Sequence, residues 1–161
     1  MKRLLTFVSA FALLAAPAFA QLGNMDAAPK AKSYVVYAAE PQTVAAGKHG
    51  VLNLRFHILQ GYHVNSHTPK SDFLIPTALT LQPANGITAS APEYPAGTQF
   101  AFSFAPNDKL DVYAADFTIK LPVVATAGAH TVEASLKYQA CDHASCFPPK
   151  TLPVQIVFTA K

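Results

Sequence analysis

Beyond residue 20, the apolar positions of this chain recur at every second residue, without the three-to-four spacing of a helical stripe. In HGVLNLRFHIL, residues 49–59, Val51, Leu52, Leu54, Phe56 and Ile58 keep close to a period of two and leave His57 on the polar side. That is the pattern of a half-buried strand. SYVVYAAE precedes it, and a turn at Gly61 follows, leading into the polar stretch YHVNSHTPKSD. FLIPTALTL, 73–81, is apolar but carries Pro76, which predicts an edge strand or a bulge because proline cannot donate to a sheet ladder. In TQFAFSFAPND, 98–108, Phe100, Phe102 and Phe104 alternate with small residues and so share one face. LDVYAADFTIKLPVV is the longest strand-like segment, Gly128 turns it, HTVEASLKYQA runs back, and TLPVQIVF closes the series.

About eight short strands separated by turn residues predict an all-β fold, an antiparallel β-sandwich of two sheets with immunoglobulin-like topology. Thirteen prolines, seven glycines and no tryptophan agree with strands and turns. No internal repeat and no second domain is visible.

The first twenty residues, MKRLLTFVSAFALLAAPAFA, set Lys2 and Arg3 before an apolar run that ends on Ala18-Phe19-Ala20, the small-x-small signature of signal-peptide cleavage. The expected organisation is a signal peptide at 1–20, a flexible polar leader at 21–32 (QLGNMDAAPKAK) and one domain at 33–161. Export predicts a periplasmic protein without stable membrane insertion, because no later stretch reaches the roughly 18 apolar residues a span requires. Loss of Lys2 and Arg3 leaves ten basic and nine acidic side chains. A charge so near balance, with no basic run, excludes a nucleic-acid partner.

Both cysteines fall in YQACDHASCFPPK, 138–150. Four intervening residues cannot reach between two sheets, so the pair belongs to a loop or a hairpin end. Three chemistries suit it. A structural disulfide would stabilise the fold by only about 2 kcal/mol, because the loop it closes is short. Thiolates with His143 and a second imidazole such as His63 or His67 would suit zinc or copper(I), although no second cysteine pair is present. A redox-active dithiol needs an attacking thiolate, a nearby resolving thiol and a docking surface; Cys141, Cys146, Tyr138 and Phe147 can supply them, with Pro148 and Pro149 stiffening the exit. Asp142 opposes thiolate formation there and a protonated His143 favours it. His49, His57 and His130, and equally His63 and Asn65, read on their own as solvent-facing polar positions.

Taken together, YQACDHASCFPP, GYHVNSHTP with FLIPTALTL, and YPAG (94–97) with DVYAADFTIKLPV resemble the N-terminal periplasmic domain of the thiol:disulfide interchange protein DsbD. The resemblance covers most of the chain beyond residue 32. It implies a thiol:disulfide oxidoreductase activity: electrons received from a thioredoxin-like domain and handed to oxidised envelope partners, among them disulfide isomerases and cytochrome c maturation thioredoxins. It further implies that Cys146 forms the mixed disulfide with the partner and Cys141 resolves it. His63, Asn65, Tyr138, His143 and Phe147 would line the site. An aromatic cap loop from 98–108, tipped by Phe104 or Phe102, would shield the sulfurs. No cofactor and no metal is implied. The chain ends at Lys161 without the membrane electron carrier or the thioredoxin-like domain of full-length DsbD, so a separate donor is expected. The alternative is a non-redox immunoglobulin-like binding module with a structural disulfide.

Overall fold

The computed structural model describes residues 33–71 and 73–161; the expected signal peptide and leader lie outside them. The described residues contain no helix and form the strands β1 (Val35–Ala38), β2 (Gln42–Val44), β3 (Gly50–Ile58), β4 (His63–Asn65), β5 (Ala78–Leu81), β6 (Ile87–Ala89), β7 (Thr98–Phe100), β8 (Leu110–Tyr113), β9 (Phe117–Ala125), β10 (Gly128–Tyr138), β11 (Ala140–Cys141) and β12 (Lys150–Ala160). Three four-stranded sheets result, ordered β1-β3-β9-β6, β2-β12-β10-β5 and β11-β4-β8-β7. Neighbours are antiparallel except β2 against β12, which is parallel.

The first two sheets are the layers of the expected immunoglobulin-like sandwich, and the period-two pattern determines which side chains meet between them. β3 buries Leu52, Leu54, Phe56 and Ile58 while Val51, Asn53, Arg55 and His57 face solvent. β9 buries Phe117, Ile119, Leu121 and Val123; β10 buries Val132, Leu136 and Tyr138; β12 buries Val154, Ile156 and Phe158. All join one apolar cluster. Each large side chain so enclosed stabilises the fold by about 1.5–3 kcal/mol, and truncating one such as Leu54 to alanine would cost about 2–5 kcal/mol.

Pro122 and Pro76 sit where the ladder does not need a donor. The Pro122 carbonyl accepts the Ser90 amide at 2.9 Å. Its ring nitrogen therefore faces the same edge, where pairing lapses between Ala89 and the isolated bridge of Glu93 with Lys120. Pro76 precedes β5, which is the edge strand its presence predicted.

The third sheet is the departure from the expected two. LDVYAADFTIKLPVV is not one strand. It divides at Ala114-Ala115-Asp116, all exposed, into β8 in the small sheet and β9 in the sandwich. Tyr113 and Phe117 stack at 4.5 Å across the step, so the aromatic pair holds the corner where the chain changes sheets. The chain enters the small sheet again from β3, through Gly61 at φ +86°, a left-handed turn that favours glycine. Ser66, just past β4, donates its amide to the Asp111 carbonyl and its hydroxyl to the Asp111 carboxylate, each at 2.9 Å. Gly97 of YPAG lies against that carboxylate so closely that a Cβ would come within 2.5 Å of an oxygen. These contacts fasten β4, β7 and β8 into a small platform, and β11 completes it with the first cysteine.

Candidate functional site

β10 continues past Gln139 into β11, whose two residues pair with β4: Ala140 opposite Val64 and Cys141 opposite His63. The chain then folds back so that Cys146 bridges Cys141 in antiparallel fashion, and the two are disulfide-bonded with Cα atoms 3.9 Å apart. The intervening turn is locally determined. The Asp142 amide donates to the Ser145 carbonyl at 2.9 Å, and the Phe147 amide donates to the Ala140 carbonyl at 2.8 Å. The Asp142 carboxylate accepts the amides of Ala144 and Ser145, both at 2.8 Å. These two bonds hold its pKa below the usual 3.8. Its charge is thus directed into the turn's own amides.

The two sulfurs occupy unlike surroundings. Cys141 has no exposed surface, whereas Cys146 is exposed at the tip. Beside Cys146, Phe147 stacks on Tyr34 at 4.9 Å and meets Tyr62 edge-on at 6.0 Å, forming an aromatic rim. Over β4, Phe100 covers the His63 ring at 4.0 Å, Phe102 packs edge-on to Phe100 at 5.3 Å, and Phe104 stacks on Phe102 at 5.0 Å. The row runs outward from the buried imidazole to Phe104, which is 70% exposed. His63 itself is lowered from 6.5 to about 4, mainly by burial and then by His143, with Asp142 pulling the other way.

Beneath the loop lies a polar brace. The Asn65 side-chain amide donates to the Ile75 carbonyl at 3.0 Å and to Gln139 Oε1 at 3.1 Å. Gln139 Oε1 also accepts the Ile75 amide at 3.3 Å, and Gln139 Nε2 donates to the Phe147 carbonyl at 3.2 Å. The base of the cysteine loop is thereby tied to β4 and to the segment before β5.

The family described as thiol:disulfide interchange protein DsbD, N-terminal, matches residues 33–157. The chain belongs to that family. None of the curated proteins matches. Among solved structures, this chain is similar to the reduced DsbD N-terminal domain of Neisseria meningitidis, with 20% identity and TM-score 0.44 over 68% of this chain and 81% of that one. It is similar, too, to the complex of the DsbD and PilB N-terminal domains of that organism, with 20% identity and TM-score 0.44 over 65% and 73%. A third is the N-terminal periplasmic domain of ScsB from Proteus mirabilis, with 9% identity and TM-score 0.46 over 76% and 44%. Membership of the DsbD N-terminal family, with a cysteine pair at bonding distance, supports thiol:disulfide exchange as the chemistry of this site.

The structure brings Cys141, Cys146, His63, His143, Phe102 and Phe147 to one end of the DsbD-type sandwich. Asn65 and Tyr138 stand further back. Tyr138 lies in the core, and its hydroxyl meets the Tyr34 amide at 3.2 Å and Ser33 Oγ at 3.3 Å, so it steadies the strand that carries Tyr34. His63 and Asn65 are buried, contrary to their reading as solvent-facing polar positions. The reason is that β4 is covered on both faces and all three of its residues are buried. Four residues of the site were not singled out for it from sequence: Phe100, Gln139, Tyr34 and Tyr62. For Phe100 the signal existed in its alternation with Phe102 and Phe104; for Gln139 it lay only in the position next to the cysteine strand. Among the described residues, no three His, Cys, Asp or Glu side chains gather as a metal-ligand set.

Proposed function

We propose that this chain relays electrons between proteins of the bacterial envelope through Cys141 and Cys146. The observation that carries the reading is the unequal exposure of the two cysteines, Cys141 fully buried and Cys146 an exposed residue. In the reduced chain, the Cys146 thiolate attacks an oxidised partner's disulfide, forming a mixed disulfide and releasing one partner thiolate. Cys141 then attacks Cys146 Sγ; the internal disulfide forms and the partner leaves as a dithiol, reduced by two electrons. Reloading is the reverse, with a dithiol donor attacking Cys146. A partner meets Cys146 first because Cys141 offers no surface to attack.

Thioredoxin-like proteins are the partners this reading takes, with a membrane carrier or another thioredoxin-like protein as donor. The aromatic rim of Phe147, Tyr34 and Tyr62 offers them apolar contact beside the exposed sulfur. Residues 1–20 would direct export to the periplasm, 21–32 would act as leader and 33–161 as the exchanging domain. The phenylalanine row of 100, 102 and 104 would serve as the cap that a docking partner displaces. Among the described residues no helix is long and apolar enough to cross a membrane.

Equilibration of the chain with glutathione and thioredoxin couples tests the reading. A working exchanger reaches equilibrium with both thiols populated; a structural bridge stays oxidised, with a potential below about −300 mV, and would favour the binding-module reading.

A further inference from the structure

His63 is enclosed by Cys141 and by the phenylalanine row. As directly opposed residues of the β4–β11 ladder, His63 and Cys141 project from one face with Cβ atoms about 4.5–5.5 Å apart. Phe100 lies over the imidazole at 4.0 Å and Phe102 at 6.2 Å. Yet the His63 Nε2 is buried with no hydrogen-bond partner, which native folds seldom allow without a use for the atom. Neither sulfur of the oxidised pair carries a proton. Reduction places an S–H on the residue directly opposite His63 in the ladder.

Cys141 needs such a neighbour. An ordinary thiol, with pKa about 8.5, is only about 3% thiolate at pH 7. We propose that His63 is a catalytic residue of the exchange: its Nε2 accepts the Cys141 thiol proton as that sulfur attacks Cys146 in the mixed disulfide, and returns it when the pair is reduced again. The electron pair of the Cys141 thiolate makes the new S–S bond; the electron pair of the broken bond leaves with the partner's sulfur. This inference rests on the exchange reading. In the disulfide-bonded chain His63 is neutral, since burial and then His143 lower it to about 4 against the pull of Asp142; these two are the titratable groups that act on it, and the phenylalanines add none. A thiolate formed beside it retains the imidazolium as an ion pair.

The experiment uses the full reduced chain and dithiodipyridine, an aromatic disulfide small enough to reach Cys146 without a docking surface. Attack by Cys146 releases the first thiopyridone, and resolution by Cys141 releases the second. In His63→Phe the ratio of second to first release rate should fall at least about tenfold near pH 7. In the unmodified chain the second rate should change little between about pH 5 and 7, because proton transfer within the pair leaves the total proton count unchanged. In the variant it should climb about tenfold per pH unit, following an unaided thiol. A His63→Phe chain whose second release matches the original in rate and pH profile overturns the assignment. Should that variant fail to fold, His63→Gln, polar but without a basic nitrogen, is held to the same two outcomes. A different failure would strike the exchange reading itself: an unmodified chain that releases both equivalents in a single slow phase, with Cys141→Ala and Cys146→Ala reacting alike.

Discussion

His63 stands directly opposite Cys141 across the β4–β11 ladder, both sealed from solvent, while Cys146 on the far side of Cys141 is exposed. The ordering of imidazole, buried sulfur and accessible sulfur gives the site a direction: chemistry begins at the outer sulfur and is completed inward.

Burial of a neutral histidine links stability to pH. In the folded chain His63 protonates at about 4, and in the unfolded chain at its ordinary 6.5. Between those values the unfolded chain binds one more proton, so stability is complete above about pH 6.5 and declines as pH falls toward 4. The gap corresponds to about 3 kcal/mol. Asp142, held below 3.8, acts in the same sense further down: its bonds to the turn are present above 3.8 and are lost as pH falls through its lowered value. Urea unfolding of the oxidised chain near pH 7 and near pH 4.5 should show a loss of this order, and His63→Phe should remove most of it. An equal loss in both chains would contradict a buried neutral imidazole.

The phenylalanine row predicts graded protection of the reduced thiols. Phe100 packs against the His63 ring, whereas Phe104 stacks on Phe102 and is 70% exposed. An aromatic contact worth about 0.5–1.5 kcal/mol corresponds to a roughly two- to tenfold change in the open population. Phe100→Ala should therefore speed iodoacetamide alkylation by about that factor, Phe102→Ala less, and Phe104→Ala least. Equal rates in all three would remove the row from the shielding of the site.

The brace beneath the loop predicts a stability effect apart from the sulfurs. Gln139→Ala removes the acceptor of the Asn65 and Ile75 groups and the donor to the Phe147 carbonyl. Each hydrogen bond lost among these part-buried groups costs about 0.5–1.5 kcal/mol, so urea midpoints should fall accordingly in both the oxidised and the reduced chain. An effect confined to the reduced chain would mean that the disulfide, not Gln139, holds the loop.

The sandwich was legible because β3, β9, β10 and β12 are nine to eleven residues long and alternate over most of that length. The small sheet was not. Its strands are two to four residues each, too short for a period to be counted, and the step between β8 and β9 carries alanines and an aspartate instead of the glycine or proline that marks a break. The cysteine hairpin could be placed at a loop or hairpin end from its spacing. That one sulfur is buried and the other exposed could not, since it depends on β4 running beside β11, a pairing between residues far apart in the chain. For the same reason His63 reads as a surface polar residue until the platform around it is assembled.

The most direct test of the relay is covalent trapping. A single-cysteine thioredoxin, activated as its mixed disulfide with thionitrobenzoate, is mixed with reduced Cys141→Ala or Cys146→Ala chain, and products are separated without reductant. Exchange through the exposed sulfur predicts that Cys141→Ala accumulates a stable complex linked through Cys146, and that Cys146→Ala forms at least about tenfold less in the same time. Equal complex from both chains, or none from either, would contradict it.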